Sequence, residues 1–124
     1  MLPTPAELDI LAVLWMVGMA TVREVHNELA NQNGYTTTLK QMQVMTEKGL
    51  LRRSERFGSH VYEPAVPQEQ TQRQLAGDLL KRAFGGSARG LVMGALAAQP
   101  ASPEELDEIR AVVEAMAREK GRSS

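Results

Sequence analysis

Apolar residues recur at helical spacing through the first part of the chain and predict three short helices in close succession. The first helix begins at the capping box from Thr4 to Glu7 and ends at Gly18. The second begins at another capping box, from Thr21 to Glu24, and ends near residues 31–34. Because the links between these helices are short, they are expected to pack as one unit.

The third predicted helix runs to Lys48, and the triplet Thr36-Thr37-Thr38 offers an N-cap hydroxyl to its first turn. Gly49 follows at the position where helices commonly end in a left-handed residue. Residues 50–56 and 60–64 then flank Phe57-Gly58-Ser59, which predicts a hairpin turn. The order helix, helix, helix, strand, strand is that of a winged helix-turn-helix domain, so the predicted fold is mostly α with one small β-hairpin.

The rest of the chain predicts three amphipathic helices, over residues 68–83, from Ser87, and from the capping box that starts at Ser102. Residues 121–124 are expected to form a frayed tail. Three short helices cannot easily bury their apolar stripes alone, so pairing with a second copy is predicted. The positions expected to form this dimer interface are Leu75, Leu79, Phe84, Leu91, Val92, Leu96, Leu106, Ile109, Val113 and Met116. We therefore predict a winged-helix domain at residues 1–66 and a helical dimerisation region at residues 67–124.

The charge distribution is more informative than the total, because the formal net charge is only −1. Between Tyr35 and Tyr62, five basic residues face two acidic ones, a local excess of three positive charges. The basic residues are Lys40, Lys48, Arg52, Arg53 and Arg56. Such a segment suits attraction to phosphate, and it is also compatible with an ordinary solvated surface.

Several classes of chemistry are disfavoured by what the chain lacks. It has no cysteine, and its two histidines, His26 and His60, fall in different predicted elements, so no catalytic triad can be assembled. His26 has no partner at i+4, so metal binding is not expected. We expect no enzymatic activity and no cofactor. The longest apolar run, residues 10–17, is too short to span a bilayer, and no leader opens the chain. The expected location is therefore the cytoplasm, without membrane insertion.

Two groups of residues are candidates for contacts with DNA. Helical geometry places one group on the outward face of the third helix, with Gln41 at its edge. Glutamine amides suit adenine edges, threonine methyls suit thymine, and lysine suits guanine or phosphate. The second group surrounds the hairpin turn and suits phosphate. The first group is Thr36, Thr37, Lys40, Gln41, Gln43 and Val44, and the second is Arg52, Arg53, Arg56 and His60. The competing interpretation of the helix is a solvated polar face.

Motifs along nearly the whole chain resemble those of the penicillinase-repressor family, the BlaI/MecI/CopY group of bacterial winged-helix repressors. The matching segments are residues 5–11 with Trp15, residues 22–25, 35–37, 47–51, 62–64 and 84–87, and Leu91-Val92. The resemblance implies a homodimer that binds a palindromic operator through its third helices and represses transcription. It also implies C-terminal helices that interlock, and some relatives are inactivated when a membrane sensor protease cleaves them.

Three departures from the family pattern bear on function. Val44 stands where many relatives have arginine, and Lys40 where threonine is common, so the operator sequence is left open. The cysteine-rich tail of copper-sensing relatives is absent, and Gly77-Asp78 stands where some relatives have an Asn-Phe scissile pair. A sensor protease therefore remains an open partner. The sequence predicts a dimeric repressor acting on double-stranded DNA. The alternative is a dimeric winged-helix module whose basic wing binds an acidic protein.

Overall fold

The computed structural model describes residues 2–29 and 33–123 and is mostly helical with one antiparallel hairpin, which confirms the predicted fold class. The chain divides into two compact units, residues 1–77 and residues 78–124, with the division inside the fourth helix. The elements in chain order are α1 (Pro5–Val17), α2 (Val22–Leu29), α3 (Tyr35–Glu47), β1 (Leu51–Arg56), β2 (Ser59–Pro64), α4 (Gln68–Arg82), α5 (Ala88–Ala98) and α6 (Pro103–Ser123).

The first two helices begin at the predicted capping boxes. Thr4 Oγ1 accepts a hydrogen bond from the Glu7 amide at 3.2 Å, and the Glu7 carboxylate accepts one from the Thr4 amide at 2.9 Å. Thr21 and Glu24 make the same reciprocal pair at 3.2 and 2.9 Å. These bonds satisfy amides that have no partner inside the helix. The predicted end of α2, at residues 31–34, lies partly outside the described residues.

The predicted threonine cap of α3 is wrong. Gly34 is the N-cap and supplies no side-chain hydrogen bond, while its carbonyl accepts the amides of Thr37 and Thr38 at 3.1 and 3.3 Å. The triplet lies inside the helix, where Thr38 is fully buried and its hydroxyl lies 2.9 Å from Nδ1 of His26. Burial of that one threonine leaves Thr36 and Thr37 exposed on the opposite side.

The end of α3 and the hairpin follow the prediction with one correction. Gly49 has φ 84°, the left-handed conformation expected after a helix. β1 and β2 pair in register from Leu51 opposite Pro64 to Arg56 opposite Ser59. The turn therefore contains two residues rather than three, because Ser59 already belongs to β2. Phe57 and Gly58 both have positive φ, 52° and 78°, as in a type I′ hairpin turn.

One hydrophobic core joins the three N-terminal helices to the hairpin. Its fully or almost fully buried members are Ile10, Leu11, Leu14, Val25, Met42, Met45, Leu51 and Tyr62. Tyr62 also exchanges two backbone hydrogen bonds with Ala20, at 2.8 and 3.0 Å, so the loop before α2 lies beside β2. The indole Nε1 of Trp15 donates to the carbonyl oxygen of Val66 at 3.1 Å. These contacts fix α3 and the hairpin within the same unit.

The second unit contains α5 and α6, which begin at serine caps. Ser87 Oγ accepts the Gly90 amide at 2.9 Å, and Ser102 Oγ accepts the Glu105 amide at 3.1 Å. Gly94 lets the Phe84 ring approach α5, since a Cβ there would lie 3.3 Å from a ring carbon. The prediction of a frayed tail is wrong for residues 121–123, because α6 continues to Ser123. Within the described residues, none of the helices is both long and apolar enough to cross a membrane.

A buried carboxylate connects the start of α1 to the residue that caps the end of α3. Glu7 is 6% exposed, and Lys48 Nζ lies 2.7 Å from its Oε2. Burial alone would raise the pKa of the Glu7 carboxyl. Hydrogen bonds from Lys48 and from the Thr4 backbone, together with the positive charge of Lys48, outweigh burial and lower this pKa below its ordinary value of 4.5. Glu7 therefore stabilises the folded state in its ionised form.

We expect Glu7→Gln to lower the free energy of unfolding at neutral pH by ~1–2 kcal/mol, because the charge-assisted bond to Lys48 is weakened. The pKa of Glu7 is lower in the folded state than in the unfolded state. The stabilisation by ionised Glu7 is therefore complete above the unfolded-state pKa and is lost as the pH falls through the folded-state pKa. Urea denaturation at a series of pH values from about 7 to 3 should show the two proteins converging in acid. Asp9→Asn, at an exposed position of the same helix, is the control, and a gap as large in acid as at neutral pH would contradict the assignment.

Candidate nucleic-acid interface

The outward face of α3 carries the residues that the sequence placed there. Thr36, Thr37, Lys40 and Gln43 are exposed, Val44 is 37% exposed, and Gln41 is half-buried at the edge. The inward side is fully buried and consists of Thr38, Met42 and Met45. Because the core holds this inward side, the outward face cannot rotate away from solvent. The result is a fixed strip of amide, hydroxyl and ammonium groups with one apolar side chain.

A concave surface of about 360 Å³ lies between this strip and the start of α1. Its lining residues are Thr4, Glu7, Thr36, Thr37, Lys40, Gln41 and Val44. The sequence placed the five α3 residues together by helical periodicity, with Gln41 at the edge, but it did not predict that the first turn of α1 faces them. Glu7 is the acidic member of this surface, and its carboxylate is already bonded to Lys48 and Thr4.

Two of the four predicted phosphate ligands of the hairpin lie beside carboxylates. Arg52 Nε lies 3.3 Å from a carboxylate oxygen of Glu63, its partner across the strands. His60 Nε2 lies 3.5 Å from Glu55 in the same way. Both pairs are exposed, so each contributes little stability and can exchange for a phosphate.

Arg53 and Arg56 are exposed and form no ion pair within the part of the chain that the structure describes. The four predicted wing residues are therefore of two kinds, two that lie beside carboxylates and two that present an uncompensated guanidinium. We expect the second kind to contribute more to attraction of a polyanion.

A second concave surface lies between the start of α2, α3 and the hairpin, and it contains a basic residue that the sequence analysis missed. Arg23, Gln43, Arg53 and His60 are among its lining residues. The Arg23 guanidinium lies 4.1 Å from the centre of the Tyr35 ring, a cation–π contact that fixes its direction. Arg23 was read only as part of a helix start. The sequence feature that could have identified Arg23 is its position in the first turn of α2, the helix that precedes α3.

The neighbouring Glu24 contributes a negative charge to the same end of α2. The Thr21 backbone amide donates to the Glu24 carboxylate, and this bond, with a side-chain interaction of Thr21, lowers the pKa of the Glu24 carboxyl below its ordinary value. Since the carboxylate is occupied as the second half of the capping box, it does not pair with Arg23. The arginine charge remains directed toward the concave surface.

The arrangement can bind an extended polyanion by shape and charge. α3 has 13 residues and therefore spans roughly 20 Å, a length that suits a major groove about 12 Å wide. The cations around it come from three elements: Arg23 of α2, Lys40 of α3, and Arg53 and Arg56 of β1. Within the described residues, no group of three or more potential ligands could hold a metal ion.

A compact unit of three helices and a hairpin, with an exposed polar third helix and a partly basic hairpin, defines a winged helix-turn-helix protein. The chain matches the family model described as penicillinase repressor over residues 3–115 of its 124 residues. It therefore belongs to the penicillinase repressor family, as the motifs in the sequence predict. Members of this family are transcriptional regulators. No curated protein gives a significant match to the chain.

The residues predicted for dimerisation are exposed or half-buried in the single chain. The exposed ones are Leu79, Val92, Leu106, Val113 and Met116, and the half-buried ones are Leu75, Phe84, Leu91, Leu96 and Ile109. Leu75 belongs to the first unit and the other nine to the second. Met93 and Val112, which were not on the predicted list, are also more than half exposed, at 57% and 55%. The second unit therefore presents a substantial apolar surface on α5 and α6.

Proposed function

We propose that the protein is a homodimeric repressor that binds double-stranded operator DNA through α3 and the hairpin. The observation that carries this proposal is the fixed outward face of α3, flanked within one unit by cations that form no ion pair among residues 2–29 and 33–123. A solvated helix face needs neither the flanking cations nor the concave surfaces on both sides of α3.

In this proposal α3 lies in the major groove and reads base edges. Thr36, Thr37, Lys40, Gln41 and Gln43 supply hydrogen-bonding groups, and Val44 supplies an apolar contact of the kind that suits a thymine methyl. Arg53 and Arg56 bind phosphates on one side of the helix. Arg52 and His60 join them when phosphate replaces their carboxylate partners, and Arg23 extends the phosphate contacts to α2.

The apolar surface of α5 and α6 supports the homodimer. Val113 and Met116 are 58% and 64% exposed, which is unusual for large apolar side chains that serve no contact. A two-fold axis through this surface would present two copies of α3 to a palindromic operator. Half-sites about 34–36 Å apart, or a multiple of this distance, are then expected. Residues 1–66 are the proposed DNA-binding domain and residues 67–124 the proposed dimerisation region.

Relief of repression by proteolysis at Gly77-Asp78, the position that the family resemblance suggests, would require α4 to open. Gly77 and Asp78 are half-buried within α4, which is helical from Gln68 to Arg82. Backbone in a helix does not fit an extended protease cleft, so cleavage there would require local unfolding of α4. Induction by a membrane sensor protease is therefore proposed only as a route that acts on an opened α4.

The first test selects binding sites from a randomised duplex library with the full-length protein. Enrichment of a two-fold symmetric sequence would support the proposal. The enriched duplex then serves in fluorescence-anisotropy titrations over a salt series, where a log–log slope of several units is expected at ~0.9 per neutralised phosphate. No enrichment, with no binding at low salt, would contradict the proposal and favour the protein-interaction module.

Lys40→Ala should weaken binding to the enriched duplex by ~5- to 150-fold, because a lost contact to a base edge costs ~1–3 kcal/mol. Anisotropy titrations measure this loss. Lys81→Ala removes the same charge from an exposed position on α4 and should leave the affinity nearly unchanged. Equal affinities for the Lys40 and Lys81 variants would remove Lys40 from the base-reading face.

Arg53→Gln should lower the log–log salt slope by ~1, because one phosphate contact is lost. Arg52→Gln should lower it less, since Glu63 already lies beside that guanidinium. The two variants differ by one strand position and carry the same substitution, so each is the control of the other. A larger effect from Arg52 would contradict the expected order of these two arginines in phosphate binding.

Val113→Lys should shift the protein from dimer to monomer in sedimentation-velocity experiments, because the substitution puts a charge into the proposed apolar interface. Binding to the symmetric duplex should weaken with it. Glu114→Lys introduces the same side chain one position along α6, on a predicted solvent-facing side, and should remain dimeric. A monomeric wild-type protein would overturn the homodimer.

A further inference from the structure

We infer that Phe57, at the tip of the hairpin, is an apolar wedge that enters the DNA minor groove beside the major-groove site of α3. The inference rests on the proposed function and adds to it a contact by Phe57 with the minor groove at a deformable base step. It begins from two features of this residue that have no explanation within the single chain.

The first feature is exposure. The Phe57 side chain is 99% exposed, the highest exposure of any large apolar side chain in the part of the chain that the structure describes. Its ring therefore gains almost nothing from burial in the fold.

The second feature is backbone conformation. Phe57 is the one non-glycine residue with positive φ among the described residues, at 52°. This position of a type I′ turn favours asparagine, aspartate or glycine, because a bulky side chain at positive φ is strained. Both the backbone and the side chain of Phe57 thus disfavour the folded hairpin relative to asparagine, so the compensating contact must come from outside the chain.

The surroundings of the ring identify DNA as the partner. Arg56 precedes Phe57 directly, and Arg53 lies four positions before Phe57 on the same strand. Neither arginine forms an ion pair with any residue that the structure describes. The nearest carboxylate, Glu55, lies beside His60. An exposed apolar ring in a turn that directly follows an arginine matches the minor-groove proteins that insert Phe or Leu between base steps.

The reach of the hairpin also fits the minor groove. β1 extends six residues from Leu51, which is in the core beside α3, to Arg56. At ~3.3 Å per residue the strand is roughly 20 Å long. Half a turn of duplex, the distance from one groove to the next, is roughly 17 Å. With α3 in the major groove, the turn can therefore reach the adjacent minor groove.

Insertion should favour a base step that unstacks easily. Pyrimidine–purine steps such as TA and CA are the most deformable, so the enriched duplex should carry one of them where the turn meets the minor groove. This specificity would arise without a hydrogen bond to a base.

The test compares Phe57→Asn with wild type on the enriched duplex. Asparagine tolerates positive φ, so the variant should melt at the same temperature as wild type or higher. Its affinity should nevertheless fall by ~5- to 150-fold, the loss typical of a stacked or inserted aromatic ring. Phe57→Leu keeps an apolar wedge and should bind within about threefold of wild type. A 2-aminopurine placed at successive steps should brighten at one flanking step with wild type and not with Phe57→Asn.

The outcomes separate the inference from the proposed function. If Lys40→Ala loses affinity while Phe57→Asn binds like wild type, the inference is overturned and the repressor proposal stands. If wild type enriches no duplex at all, both are overturned. Unchanged melting with reduced affinity and a lost 2-aminopurine signal would support the wedge.

Discussion

The orientation of α3 depends on the burial of one side of that helix. Met42 and Met45 are fully buried against α1, α2 and the hairpin, and Thr38 is buried beside His26. Since these residues occupy the inward side, every polar group on the opposite side has a fixed direction. The same core includes Leu51 and Tyr62, so the hairpin is positioned by the side chains that position α3. A single packing arrangement therefore sets both parts of the candidate interface.

The positive charge available at the interface depends more on which basic side chains lie beside carboxylates than on how many basic residues the sequence contains. The sequence shows three arginines and a histidine around the hairpin, but strand register places Glu63 beside Arg52 and Glu55 beside His60. Arg23, which is far from the hairpin in sequence, lines the same concave surface as Arg53. The distribution of positive charge over the surface thus follows from the fold, and a count along the chain would misplace part of it.

Local features of the fold could be predicted from the sequence, and features that depend on distant contacts could not. The capping boxes at Thr4 and Thr21 involve residues three positions apart, and periodicity was enough to assign the two sides of α3. The cap of α3 was mispredicted because Gly34 occupies the N-cap position and the Thr38 hydroxyl lies beside His26, a contact that requires the packing of α2 on α3. The ion pair of Arg52 requires the strand register, and the approach of α1 to α3 requires the core. The functional roles of the candidate residues remain predictions.

The hydrogen bond from Trp15 to Val66 allows the contact between α1 and the segment after β2 to be followed by fluorescence. Trp15 is the only tryptophan in the sequence, it is half-buried, and its indole N–H donates to a carbonyl just after β2. Indole emission responds to hydrogen bonding and to contact with water. The intrinsic fluorescence of the unlabelled protein therefore reports whether the segment leading from the hairpin into α4 is docked on α1.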